Sequence, residues 1–368
     1  MMEWMASAAF GLEGLVKREL QGLGIPARAD RGGVRFDGTP EQAFAANLWL
    51  RTADRVLLVV GEGEARTFEE LFQLTKALPW ADLLPPDARF PVAGNCARSQ
   101  LMSVRDCQAI IKKAIVEQLK EKHRRSWFDE SGAMYQVTFS IHQDQVRLCL
   151  DASGDALNRR GYRTWTGEAP LRETLAAALV ELSPWQPGQP LHDPCCGTGT
   201  ILVEAAFRAA RRAPGLIRSF AMEQWHFCDR PAMDRQRNEA KAVFDLSLID
   251  GITGSDADPE ALVLCKRHLQ QAGLGGRVRV WQQDLRDLEP LPENTCIITN
   301  PPYGERLGSK KETETLYRQM RKLEQKAGAE RVCVLTANPS FERLYGKRAA
   351  RKRRLYNGRL ECEYLIFE

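Results

Sequence analysis

Four stretches of this chain carry residue types that suit chemistry on a flat ligand bearing an amino group. The first is Asn300-Pro-Pro-Tyr-Gly-Glu-Arg-Leu307, which follows the apolar run Cys296-Ile297-Ile298-Thr299. That run reads as a buried strand, and two consecutive prolines force the backbone out of the sheet beyond it. Asn300 then closes the strand as an amide acceptor, and Tyr303 follows as a planar aromatic. Taken alone, the segment reads equally well as proline punctuation after a strand.

The second stretch, Leu191-His-Asp-Pro-Cys-Cys-Gly-Thr-Gly-Thr200, reads as a short strand, a glycine-punctuated turn and a helix to about Arg212. Gly197 and Gly199 permit backbone conformations and a closeness to ligand that side chains forbid. The turn is not GxGxxG, and it lacks the Gly-Lys-Ser/Thr ending that holds a triphosphate. Asp193 ahead of it attracts an ammonium and repels a phosphate. The third stretch, Gly251-Ile-Thr-Gly-Ser-Asp256, ends a strand with an acid where doubly wound folds place a carboxylate for ribose hydroxyls. The fourth places Asp284 just past the strand Arg277–Trp281. Asp193, Asp256, Asp284 and Asn300 all fall at carboxyl ends of strands, where open α/β sheets bind ligands.

The elements that must position these residues occupy the second half of the chain. A helix from Leu171 to Leu182 precedes the Asp193 strand, helices follow at Asp258–Ala272 and Glu312–Lys326, and Val332–Thr336 is a further strand. Asn357-Gly358 sits between two strand-like runs, a strong hairpin signal. The alternation predicts an open, mostly parallel sheet with a reversed edge strand. Residues 213 to 250 read as an insertion, with Trp225 in its middle and a charged helix from Pro231 to Val243.

The first half reads as two smaller α+β units. Residues 1 to about 60 contain helices at Gly11–Leu20 and Glu41–Leu50 and strands at Gly33–Asp37 and Arg55–Val60. From Thr67 a second unit carries a helix Phe68–Leu78, an amphipathic helix Val104–Arg125 and strands Tyr135–Ile141 and Gln145–Leu150. Lys112, Lys113, Arg124 and Arg125 on or after the long helix are open to two readings, a phosphate grip or a solvated face. Arg159, Arg160 and Arg163 in the joint Asn158-Arg-Arg-Gly-Tyr-Arg163 are open to the same choice between partner surface and solvated linker. The run Lys347-Arg-Ala-Ala-Arg-Lys-Arg-Arg354 favours a polyanionic partner.

At 368 residues the chain can hold two or three cores, and its 43% hydrophobic and 27% charged content is that of a soluble globular protein. The net charge of +4 is too small to decide on a nucleic-acid partner by itself. No apolar run suggests a membrane span, and the N-terminus lacks the pattern of a secretory signal. Ten cysteines without a CxxC pair or Cys/His cluster predict reduced thiols in a cytoplasmic protein and no metal site. Cys195-Cys196 beside the glycine turn is read as packing rather than nucleophile.

Asp193-Pro-Cys-Cys-Gly-Thr-Gly-Thr200 together with Asn300-Pro-Pro-Tyr303, with Gly254-Ser-Asp256 and Gln283-Asp284 between, resembles the Rossmann-like S-adenosylmethionine-dependent amino-methyltransferases. With the joint Leu157–Arg163 before Ala169-Pro-Leu-Arg-Glu-Thr174, the chain resembles the THUMP-containing branch that holds the bacterial 23S ribosomal RNA guanine-N2-methyltransferases. The resemblance implies a ferredoxin-like unit at 1–64, a THUMP RNA-binding unit at 65–155, a linker at 156–168 and a class I methyltransferase domain at 169–368.

It also implies S-adenosylmethionine as cofactor. Asp193, Cys195 and the turn Gly197, Thr198, Gly199 and Thr200 would lie along its methionine part, Asp256 on the ribose and Asp284 on the adenine. Asn300, Pro301, Pro302 and Tyr303 would hold and stack the target base. Lys112, Lys113, Arg124, Arg125, Arg159, Arg160 and Arg163 would meet RNA. Some relatives carry a second methyltransferase domain, and a chain ending at Glu368 is expected to have one activity. A tRNA guanine-N2 enzyme, a DNA adenine-N6 enzyme and a non-catalytic RNA-binding assembly factor remain alternatives at this stage.

Overall fold

The computed structural model describes residues 1–163, 171–302, 310–329 and 331–368. Its first half is built on one seven-stranded sheet rather than two. The strands are β1 (Met2–Ala8), β2 (Arg28–Asp30), β3 (Gly33–Gly38), β4 (Ala53–Glu64), β5 (Val92–Ala97), β6 (Val137–His142) and β7 (Gln145–Asp151). They lie in the order β2-β3-β1-β4-β7-β6-β5. The long β4 joins the two units: its first half pairs with β1 and its remainder, from Leu57 to Glu64, with β7, both antiparallel. Only β5 and β6 run parallel.

Helices α1 (Glu13–Gly22), α2 (Pro40–Trp49), α3 (Phe68–Lys76), α4 (Trp80–Leu83) and α5 (Val104–His123) complete this half. Thr39 with Gln42 and Thr67 with Glu70 form capping boxes that fix where α2 and α3 begin. The apolar stripe of α5 predicted from its spacing, including Ile111, Ala114, Ile115 and Leu119, is buried.

The second half contains α6 (Glu173–Leu182), β8 (Leu191–Asp193), α7 (Thr200–Ala209), α8 (Arg230–Ala242), β9 (Ile252–Asp256), α9 (Pro259–Gln271), β10 (Arg279–Gln282) and β11 (Cys296–Thr299). It closes with α10 (Lys310–Lys326), β12 (Arg331–Thr336), α11 (Phe341–Tyr345), β13 (Arg351–Asn357) and β14 (Leu360–Phe367). The sheet order is β10-β9-β8-β11-β12-β14-β13. The first five strands are parallel, and β14 alone runs against them. The expected reversed edge strand is therefore one place inside the edge. The hairpin folds outward, so β13 becomes the edge and runs in the direction of β11.

Near-continuous apolar strands such as Cys296–Thr299 are buried on both faces, as a helix-covered parallel sheet requires. Leu175, Leu179, Ile201, Phe207, Leu262 and Leu269 of α6, α7 and α9 cover one face. Tyr317, Met320 and Phe341 of α10 and α11 cover the other. Among the described residues no helix is long and apolar enough to cross a membrane.

The 213–250 insertion packs into the core of the first half. Trp225 lies flat on Tyr135, with ring centroids 5.4 Å apart and planes 9° from parallel, and its Nε1 donates to the Met134 carbonyl at 3.0 Å. Phe220 meets Phe44 edge-on at 5.7 Å. In return, Leu12 and Leu15 of the first unit are buried in the core of the second half, beside Leu355.

Candidate active site

The parallel strands end along one rim, and each delivers a polar residue there. β8 ends on Asp193, which is 1% exposed and accepts from the Cys195 N–H at 3.1 Å. β9 ends on Asp256, whose two carboxylate oxygens accept from Gly197 N–H at 2.7 Å and Asp258 N–H at 3.0 Å. Asp284 follows β10, and Asn300 follows β11.

Asp256 thus fastens the glycine turn to the neighbouring strand. The Cys196 N–H reinforces this by donating to the Ser255 carbonyl at 3.0 Å. His268 of α9 donates from Nδ1 to the Thr198 carbonyl at 3.0 Å. Gly199 is the N-cap of α7 in the left-handed region, with φ +83°, and a Cβ there would stand 2.5 Å from Cys265 Sγ. Side chains are excluded at that point on both grounds.

The electrostatics of the turn favour a cation. Burial pushes the Asp193 carboxyl up to about 7, with the Asp256 charge adding to the effect against the Cys195 N–H bond. Burial also raises Asp256, against its backbone N–H bonds. Two acids this short of solvation gain when a positive group arrives between them. That fits the ammonium and sulfonium of S-adenosylmethionine. Gly197 leaves open space where its side chain would be.

Asp284 is differently disposed. Its carboxylate caps a short 3₁₀ turn and accepts from Arg286 Nε at 2.9 Å and Nη2 at 2.5 Å, which holds it below the usual carboxylate range. Its remaining lone pairs are all it has for a ligand amino group. Thr200 is buried at the start of α7, where its hydroxyl meets Arg163. Cys195 is half-buried and its thiol is pushed well above its ordinary range by burial and by Asp193, so it is not a nucleophile at neutral pH. Cys196 is buried beside it.

At the target end, Pro301 is buried and the Pro302 carbonyl accepts from Tyr317 Oη at 2.6 Å. Tyr317 is a fully buried residue of α10 that sequence reasoning missed. It occupies an ordinary apolar position of an amphipathic helix, and only the fold shows what its hydroxyl reaches. The expectation for Tyr303 lies outside the described residues.

Two of the seven expected RNA contacts, Arg160 and Arg163, require correction. Arg160 is 2% exposed and pairs with Glu204 of α7 at 3.3 Å, while also donating to the Leu157 carbonyl at 2.8 Å. Arg163 is similarly withdrawn, pairing with Glu173 at 3.3 Å and bonding Thr200 and the Leu171 carbonyl. These arginines are neither a partner surface nor solvated linker charges: Arg160, which also donates to the Arg51 carbonyl, joins the halves from inside, and Arg163 ties the joint to the catalytic half. Lys112 pairs with Glu130 at 2.6 Å and lies 3.6 Å over the Phe90 ring. Lys113 stands 5.7 Å over Phe72, and Arg159 pairs at the surface with Asp155 at 3.2 Å. Arg124 and Arg125 are exposed just past α5, near the exposed Trp127.

Comparison with known proteins places these features in context. Residues 160–366 match the family described as RMKL-like, methyltransferase domain. Residues 3–57 match the RlmL ferredoxin-like domain and 65–151 the THUMP domain. The chain is 42% identical to the "Putative RNA methyltransferase YpsC" of Bacillus subtilis, over 98% of this chain and 94% of that protein. It is 34% identical to the ribosomal RNA large subunit methyltransferase K/L of Allochromatium vinosum, over 99% of this chain but only 51% of that protein. A crystal structure of SMU.472, described as "a putative methyltransferase complexed with SAH", superposes with a TM-score of 0.95 at 39% identity, covering 100% of this chain and 97% of that one. A Listeria monocytogenes structure described as "a predicted N6-adenine-specific DNA methylase" gives 0.93 at 42%, with 100% and 96% covered.

Proposed function

The chain belongs to the RMKL-like methyltransferase family, and we propose that it methylates the exocyclic N2 amino group of a guanine in 23S ribosomal RNA. The methyl donor is S-adenosylmethionine, which when bound supplies an electrophilic sulfonium methyl group. One observation carries the reading. A single rim gathers Asp193, Asp256, Asp284 and Asn300 around the glycine turn, in a chain whose first half includes a THUMP unit.

Asp193 and Asp256 hold the cofactor's cationic and hydroxyl-bearing parts, and the turn Gly197–Thr200 supplies close backbone. An exocyclic amine is a poor nucleophile because its lone pair is delocalised into the ring. The Asn300 side-chain carbonyl and the Pro301 carbonyl accept the two N–H bonds and turn the lone pair out of that conjugation. Fixed acceptors need no reorganisation at the moment of reaction, so orientation and preorganised dipoles provide most of the acceleration. Tyr317 positions this loop through the Pro302 carbonyl. Tyr303 stacks on the target base, which has left its own stack. An RNA substrate is supported by the THUMP match, and ribosomal RNA by the large-subunit relatives.

The test is a methylation assay with in-vitro-transcribed 23S RNA and labelled S-adenosylmethionine, followed by nucleoside mass spectrometry. N2-methylguanosine is the expected product; N6-methyladenosine as the only product, or no product with any RNA, refutes the reading. Asn300→Ala should lower kcat by about 10²-fold or more, with S-adenosylmethionine affinity within about twofold.

A further inference from the structure

The basic run of residues 347–354 leads into a feature that the reaction chemistry leaves unexplained. Because β13 runs with β11, its carboxyl end at Tyr356–Asn357 stands on the same rim as Asn300. The turn at Gly358–Arg359 projects beyond that rim. Three strand spacings, roughly 14 Å, separate β13 from β11 along the rim, and because Thr299 is level with Lys352 the tip stands a further roughly 17–20 Å out along the strand direction.

Arg354 is exposed on the face of β13 that carries Tyr356, Arg359 is exposed at the turn, and Arg353 is exposed on the opposite face, which carries Leu355. Arg354 has only a solvent-facing pair with Glu361 at 3.3 Å, of the kind that contributes little and yields readily to another anion. Arg353 and Arg359 form no ion pair among the described residues.

An aromatic pair sits among these cations. Phe10 is 67% exposed, and its ring meets Tyr356 edge-on at 5.8 Å. The loop that carries it is pressed onto the free edge of β13: Gly11 has φ +88°, and a Cβ there would lie 2.9 Å from the Arg354 carbonyl oxygen. The next residue, Leu12, is buried in the methyltransferase core. The chain therefore anchors this loop firmly while leaving the large Phe10 ring in water.

We propose that Phe10, Tyr356 and the arginines of the β13–β14 tip form a platform for the single-stranded RNA flanking the target nucleotide. One base lies against Phe10 and Tyr356, and the adjoining phosphates lie on Arg354, which shares the Tyr356 face of β13, and on Arg359 at the turn. Cations interleaved with sequence-indifferent π faces are what a single strand requires. Neither an acidic protein patch nor a membrane surface calls for that pairing. The inference rests on the RNA reading above and adds a surface contributed jointly by the first unit and the last hairpin.

The test compares wild type with Arg354→Glu/Arg359→Glu and with Phe10→Ala, all full-length, on in-vitro-transcribed 23S RNA. The double variant should raise the KM for RNA about tenfold or more and make the log–log salt slope shallower by about 1.4, two phosphates' worth on a single strand. S-adenosylmethionine affinity and kcat should stay within about twofold. Phe10→Ala should raise the KM for RNA about fivefold or more with the salt slope unchanged. Equal melting temperatures establish that the variants are folded, and Arg354→Gln/Arg359→Gln replaces the charge reversal if it unfolds. Wild-type protein that methylates no RNA overturns the functional reading. Wild-type turnover with unaltered KM and salt slope in the variants overturns the platform alone.

Discussion

With Asp193 facing the cofactor's ammonium as proposed, cofactor binding should depend on pH in a direction that can be worked out. Its carboxyl titrates near 7 because it is buried without a cation. A bound ammonium requires the carboxylate, so below that pH binding must first expel a proton. The apparent Kd then scales as one plus ten to the power (pKa − pH). It is weaker by about 11-fold at about pH 6, about twofold at about pH 7, and near its limit at about pH 8. Calorimetry in two buffers of different ionisation enthalpy should show close to one proton released per cofactor bound at about pH 6 and almost none at about pH 8.

The same group acts on stability with the opposite sense. The folded-state pKa lies above the unfolded value, so the folded protein holds the extra proton between about 4 and 7. Unliganded stability therefore falls as pH rises through that window. Asp193→Asn removes the penalty and should stabilise the unliganded protein at about pH 8, by at most about 4 kcal/mol, while weakening cofactor binding. A Kd independent of pH from about 6 to 8, with no proton release, would refute this account. So would an Asp193→Asn variant less stable than wild type at high pH.

Glu204→Gln leaves the Arg160 charge buried and unpaired and should cost about 3–5 kcal/mol in denaturant melts. Arg160→Met/Glu204→Leu together should recover most of it. Trp225→Ala should cost about 3–5 kcal/mol, and because Trp225 stacks on Tyr135 the unfolding should begin in the first half, read by hydrogen exchange on β6 and β7. Tyr317→Phe removes the bond to the Pro302 carbonyl together with the hydroxyl's bond with Thr336, so kcat should fall with S-adenosylmethionine affinity unchanged in calorimetry. Lys112→Ala should leave the salt slope of RNA binding unchanged, whereas Arg124→Ala/Arg125→Ala should make it shallower by about 1.4–1.8.

The parts of the site legible in the sequence are those set by local chain geometry. Strand, glycine turn and helix follow one another within ten residues at Leu191–Thr200, and two prolines after Thr299 end a strand wherever they occur. The rim follows once strands and helices alternate. What stayed hidden depends on partners distant in the chain. Arg160 reads as a solvated charge because its partner Glu204 is 44 residues away. Trp225 reads as the middle of an unassigned insertion because its stacking surface, Tyr135, lies far earlier in the chain. The continuous sheet of the first half was illegible for a related reason. Two α+β patterns in succession give no sign that one long strand, β4, serves both.

The aromatic insertion has a consequence for how a target nucleotide is chosen. A reader domain tethered by a free linker samples many distances, and selection then falls to sequence around the target. Here Phe220, Met222 and Trp225 of the catalytic half are buried among the strands and helices of the RNA-reading half, and Arg160 closes the joint from within. The span from the tip of α5 to Asn300 is therefore a property of the fold, like the gap of a calliper. An RNA is accepted when its anchored segment and its target nucleotide stand that far apart. Lengthening the joint should do little, whereas moving the target nucleotide along the RNA should abolish methylation.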